Sequence, residues 1–121
     1  MKIVLFANTD WYLYNFRLST AQQLRSLGAD VVMVSPPGDF GARFADHGIP
    51  WRTLPMQRSS LNPLREAWVL RALARLLASE KPDLLHSFTA KCAVYGALAG
   101  RMAGVPAMVN AVAGMGYVFA S

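Results

Sequence analysis

The residue types able to do chemistry are concentrated in three short stretches. The first is ANTDWYLYNFRLS, Ala7 to Ser19, where Trp11, Tyr12, Tyr14 and Phe16 interleave with Asp10, Asn15 and Arg17. Aromatic faces stack on sugar rings or lipid-proximal groups. Asp10 and Asn15 can hydrogen-bond hydroxyls, and Arg17 can face a phosphate. Four aromatics and three polar groups cannot all face inward, so the set predicts ligand contact. Packing of the aromatics under a loop, with Asn15 as a helix cap, is the plainer reading. The second stretch is HSFTAK, His86 to Lys91. Ser87 or Thr89 can cap a following helix, and Lys91 adds positive charge beside a helix N-terminus suited to anions. His86, Thr89 and Lys91 therefore form a candidate phosphate or diphosphate site; the alternatives are a core histidine and an ordinary cap with a solvated lysine. The third stretch runs from Asn110 through AVAGMGYVF, where Gly114 and Gly116 let backbone approach a ligand closely.

The elements that must position these residues follow from hydrophobic patterning. Lys2 to Ala7 is a short apolar run, read as a buried strand. The stretch from Asn8 to Arg17 reads as a loop. Leu18, Ala21, Leu24 and Leu27 then recur at steps of three, with Gly28 as a helix stop. Asp30 to Ser35 reads as a second strand, and Gly41 to His47 as a short helix ending in a surface histidine. Pro50 to Leu54 reads as an edge strand because of its flanking prolines. Ser60 or Asn62 can cap a long helix with Pro63 in its first turn, running to about Glu80. Asp83 to Ser87, a helix from Thr89 to Ala103 and a buried strand from Ala107 to Val112 complete the pattern. This alternation predicts an α/β, Rossmann-like doubly wound parallel sheet of about five strands with helices on both faces. Ligands bind such sheets at the carboxyl ends of the strands. All three stretches fall there.

Composition and missing motifs exclude several functions. Apolar residues make up 54% and charged residues 16%, which excludes a disordered chain. A net charge of +5 favours anionic partners. The single cysteine, Cys92, excludes a disulfide framework and a zinc cluster and reads as a core thiol. The apolar run at Ile3 to Ala7 is too short for a signal-peptide core. Met102 to Ser121 is uncharged, but Gly104, Pro106, Asn110, Gly114 and Gly116 make it a poor membrane span. No glycine precedes Gly28, and the second strand ends in Ser35-Pro36-Pro37, so a dinucleotide fingerprint is absent. A Walker loop is absent too. Thr53 and Leu54 stand where a phospho-receiver domain would place an aspartate.

The long helix carries its own signal. Val69, Leu70, Leu73, Leu76 and Leu77 cluster on one face, while Leu64, Trp68, Arg71 and Arg75 share the other. Tryptophan and leucine among arginines is the pattern of an interfacial membrane helix. Solvated arginines around a packed tryptophan are the competing reading. A nucleic-acid reader motif is lacking, and no nucleic-acid partner is expected.

Taken together, KIVLFANTDWYLYNFRL, VSPPGDFGARFADHGI, SSLNPLRE and KPDLLHSFTAKCAVYGALAGRMAGVPAMVNAVAGMGYVF resemble, in order and over essentially the whole chain, the N-terminal domain of family-four glycosyltransferases of the GT-B fold. They are most similar to the branch acting on polyprenyl-diphosphate-linked sugars in bacterial surface-polysaccharide and lipopolysaccharide assembly. The resemblance implies the acceptor-binding half of a retaining hexosyl- or N-acetylhexosaminyl-transferase, peripheral on the inner face of the cytoplasmic membrane. Its partners would be a nucleotide-sugar donor, a polyprenyl-diphosphate-linked acceptor and an anionic membrane. No metal or other cofactor is implied. A separate C-terminal domain would hold the donor and a paired-glutamate motif, and this stretch of 1–121, alone, would be inactive and prone to self-association. By position, Asp10, Trp11, Tyr14, Asn15, Arg17, His86, Thr89 and Lys91 would line the acceptor side, and Asn110, Gly114 and Gly116 the donor-facing loop. Leu64, Trp68, Arg71 and Arg75 remain the membrane-contact set. Two departures stand out: no histidine follows the fifth strand, and the aromatic stretch replaces the glycine pair common after the first. A stand-alone α/β ligand-binding or interaction module and a fragment of a GT-B nucleotide-sugar epimerase are the alternative readings.

Overall fold

The computed structural model describes residues 1–56 and 62–111. Five strands, β1 (Lys2–Phe6), β2 (Asp30–Ser35), β3 (Trp51–Thr53), β4 (Leu84–Phe88) and β5 (Ala107–Ala111), form one sheet in the order β3-β2-β1-β4-β5. Every pairing is parallel, with Phe6 opposite Val34 on one side and Ser87 on the other. The order reverses between β1 and β4, so their carboxyl ends flank the topological switch point.

Helices cover both faces. Helix α3 (Pro63–Glu80) and helix α4 (Ala90–Ala103) pack on the face formed by Val4, Phe6, Val32, Val34 and Leu85. The opposite face, formed by Ile3, Leu5, Val31 and Met33, carries α1 (Asp10–Tyr12), α2 (Leu18–Ser26) and the 3₁₀ helix Gly41–His47. Successive strand side chains point to opposite faces, and the central strands are apolar on both, as a doubly covered sheet requires.

Most element bounds follow the sequence pattern. Asn62 caps α3 by accepting from the Leu64 amide at 3.0 Å, with Pro63 at the first helical position. Two readings are corrected. Asn8 to Arg17 is not an extended loop: α1 begins at Asp10 and runs through a π-helical turn, Leu13–Arg17, into α2. The start is fixed by Thr9, whose hydroxyl accepts from the Tyr12 amide at 3.1 Å, with Asp10 favourably placed in the first turn. The other correction concerns β5, which is not buried. Ala107, Val109 and Asn110 are exposed because β5 is an edge strand whose one described cover is α4, reached through Met108. Gly100 permits that close approach, since a Cβ there would fall 2.5 Å from Met108 Sδ, and Gly96 does the same against β4, where a Cβ would run into Ser87 Oγ.

Candidate functional site

The switch point gathers the aromatic stretch and HSFTAK into one surface. The π turn holds Leu13 inward and swings the residues around it to either side. On the β4 side, Arg17 lies 4.4 Å from the Phe88 ring centroid and donates to the Tyr12 hydroxyl at 2.9 Å. Tyr12 also packs against Phe16 and Phe88, and His86 stacks on Phe88 at 4.2 Å. On the β2 side, Tyr14 packs against Phe40 and Phe44, and Arg43 sits 4.6 Å over Phe40. Each side is therefore a cluster of rings capped by a guanidinium, an arrangement that holds the cation without a carboxylate.

Arg17 is the distinctive charge. It is partly buried, its Nε has no hydrogen-bond partner among the described residues, and no described carboxylate lies within ion-pair distance. Burial pushes the His86 imidazole below its usual range, and the Arg17 charge pushes in the same direction. At neutral pH His86 is thus a neutral hydrogen-bonding ring beside a fixed cation, which suits an anion bearing hydroxyl-rich groups.

Among the aromatics, Trp11 and Phe16 face out, 48% and 55% exposed, and meet edge to face at 5.4 Å; Tyr12 and Tyr14 are half-buried and hold the turn. Asn15 is exposed, and its side-chain amide donates to the Trp11 carbonyl at 2.9 Å. Asp10 is buried, its carboxylate accepting from the Trp11, Phe40 and Gly41 amides at 2.9, 2.7 and 2.8 Å.

Thr89 occupies the N-cap position of α4 at φ 75°, ψ 156°, a combination that is essentially glycine's own, and makes no capping bond through its side chain. Lys91 is half-buried, 3.5 Å from a Glu66 carboxylate oxygen and 5.5 Å from the Tyr95 ring centroid, so it ties α4 to the first turn of α3. Cys92 is a buried free thiol. Desolvation pushes it up to about 11, against smaller opposing effects of the Thr89 hydroxyl and the Lys91 charge.

Asn110 is exposed on β5, opposite Ser87. Gly114 and Gly116 lie outside the described residues. Leu64, Trp68, Arg71 and Arg75 stand together on the outer face of α3, all exposed, with a groove of about 350 Å³ lined by Trp68, Arg71, Ala72 and Arg75. This set is separate from the switch point. Among the described residues no group of three metal-ligating side chains converges, and no helix is long and apolar enough to cross a membrane.

Sequence reasoning missed Arg43, and it placed Phe40 and Phe88 in strand-end stretches without giving either a role. Phe40 and Arg43 belong to GDFGARF, whose aromatic–arginine spacing repeats that of Phe16-Arg17 more loosely. Their meeting with Tyr14 needs the sheet to bring β1 and β2 side by side.

Comparison with known proteins bears on the family and the fold. Residues 16–119 match the family model described as "Glycosyl transferase 4-like domain". The N,N'-diacetylbacillosaminyl-diphospho-undecaprenol alpha-1,3-N-acetylgalactosaminyltransferase of Campylobacter jejuni is 25% identical over 116 residues, 96% of this chain and 31% of that protein. The UDP-Gal:alpha-D-GlcNAc-diphosphoundecaprenol alpha-1,3-galactosyltransferase of Escherichia coli is 31% identical over 64 residues, 53% of this chain and 16% of that protein. The chain thus spans a third or less of the length of these relatives. The crystal structure of Acinetobacter baumannii MurG superimposes with a TM-score of 0.69 at 23% identity, over 90% of this chain and 33% of that one, a likeness of fold. The chain belongs to the glycosyl transferase 4-like domain family and has a Rossmann-like fold of the kind found in GT-B glycosyltransferases.

Proposed function

We propose that this chain is the acceptor-binding half of a retaining glycosyltransferase. The whole protein would move a sugar from a nucleotide-sugar to a polyprenyl-diphosphate-linked saccharide in cell-surface polysaccharide biosynthesis. The observation that carries the reading is the partly buried Arg17 guanidinium at the switch point, with no carboxylate in ion-pair distance among the described residues and with neutral His86 and the exposed Trp11 and Phe16 in the same cluster. A cation there favours a diphosphate, and exposed rings beside it favour the attached sugar or lipid. Family membership and the lipid-diphosphate acceptors named for the two curated relatives support it.

In this reading Arg17 binds acceptor phosphate, with Lys91 contributing charge from the start of α4. His86, Asn15 and Thr89 offer polar groups to the acceptor, Trp11 and Tyr14 offer ring faces, and Asn110, Gly114 and Gly116 border the donor. A second domain supplies most of the donor site. Leu64, Trp68, Arg71 and Arg75 rest α3 on an anionic membrane, which keeps the protein peripheral on the cytoplasmic face.

The test is transfer from a panel of radiolabelled nucleotide-sugars by the protein that carries this domain with its donor-binding half. A polyprenyl-diphosphate-linked saccharide should be labelled, and the same saccharide with a free reducing end should not. Equal labelling of both would remove the lipid diphosphate from the account.

A further inference from the structure

We propose that Asp10 is a positioning residue for acceptor binding, which touches no acceptor itself and fixes the two arginine-capped aromatic clusters relative to each other. This rests on the acceptor-binding reading above. Asp10 is 5% exposed, and three backbone amides donate to its carboxylate: Trp11 at 2.9 Å to Oδ1, and Phe40 and Gly41 at 2.7 and 2.8 Å to Oδ2. The first belongs to α1, after β1. The other two open the 3₁₀ helix that follows β2, where backbone N–H groups would otherwise lack partners. Asp10 therefore joins the carboxyl ends of two adjacent strands through charge-assisted bonds.

What it joins is the site. On one side of the tie, the Trp11 amide leads into the π turn that carries Arg17, whose guanidinium lies over Phe88. On the other, the Phe40 amide belongs to the ring that packs on Tyr14 and lies under Arg43. Moving the β2 loop away from α1 would change the distance between the two guanidiniums. Among the described residues no other side-chain hydrogen bond joins α1 and the π turn to the segment that follows β2. The loop is also shaped around the carboxylate: a Cβ at Gly38 would fall 2.1 Å from Asp10 Oδ1 and 2.5 Å from Cγ. Gly38 does not have a positive φ, so its smallness answers to Asp10 and not to backbone conformation.

The two sides of the tie can be perturbed independently. Asp10→Asn removes the charge and one acceptor oxygen from inside. Gly38→Ala pushes the carboxylate from outside and leaves Asp10 in place. The protein carrying this domain and its donor half would be assayed with a synthetic polyprenyl-diphosphate-linked saccharide, and the Phe40 and Gly41 amides followed by hydrogen exchange. Both variants should lose protection at these amides and raise the acceptor KM about tenfold, with donor KM and kcat at saturating acceptor nearly unchanged. An acceptor KM that stays at the wild-type value in either variant while protection is lost would overturn the proposal, as would an equal rise in donor KM. Retained protection in Asp10→Asn would overturn it too. If the wild-type protein makes no use of the lipid-linked acceptor, the functional reading falls first and takes this inference with it, an outcome distinct from an active wild type with insensitive variants.

Discussion

Thr89 carries the clearest sign that chemistry and conformation compete at single residues. A threonine at φ 75°, ψ 156° stores on the order of 1–3 kcal/mol of strain. Glycine there should relieve more than it costs in unfolded-chain entropy, so Thr89→Gly is expected to raise stability by about 1 kcal/mol, read from thermal unfolding. It should also impair acceptor use. Two titrating groups make their own predictions. His86 has a folded-state pKa below its unfolded value, so the unfolded chain binds the proton more readily. Its contribution is therefore intact above pH 6.5 and is lost as pH falls through the folded pKa. His86→Gln should flatten the loss of stability below pH 6.5, measured by chemical denaturation across that range. With its pKa near 11, Cys92 should react with iodoacetamide at pH 8 far more slowly in the folded protein than in denaturant. The cysteine's core role was readable from its apolar helix pattern. Thr89's backbone conformation and Asp10's bonds to the Phe40 and Gly41 amides were not, the latter because they form only when β1 and β2 lie side by side.

Elements were more legible than individual side-chain roles, and for a physical reason. Helix α3 announces itself locally: Asn62 and Pro63 open it, and its apolar stripe has helical period. The π turn at Leu13–Arg17 has no such signal, although Thr9 and Asp10 together mark a helix start that the aromatic composition obscured. The α3 stripe predicts behaviour as a unit. Flotation with anionic liposomes should fall sharply for Trp68→Ser combined with Arg71→Glu, and unchanged flotation would leave the face merely solvated. The α4–β4 contact predicts a packing effect instead. Gly96→Ala would drive a methyl into Ser87 Oγ and should destabilise the protein by about 1–3 kcal/mol, checked by its denaturation midpoint.

For the whole molecule, the alternation of strands and helices sufficed to read a parallel sheet, and the switch-point rule then pointed to the candidate site from topology alone. The exposure of β5 escaped that reading because the sequence of an apolar strand does not state whether anything covers it. Nor does local sequence state that Arg17 and Arg43 cap parallel clusters on the two flanks of one helical turn; that needs β1 between β2 and β4. The central claim is that this surface binds the acceptor and that Arg17 is its phosphate ligand. The most direct measurement compares Arg17→Ala with wild type in the protein that includes its donor-binding half, following acceptor KM and donor affinity together. The account predicts a loss of acceptor use of tenfold or more, about 1.4 kcal/mol or greater, with donor affinity unchanged. An equal loss of donor affinity, or an unaltered acceptor KM, would contradict it.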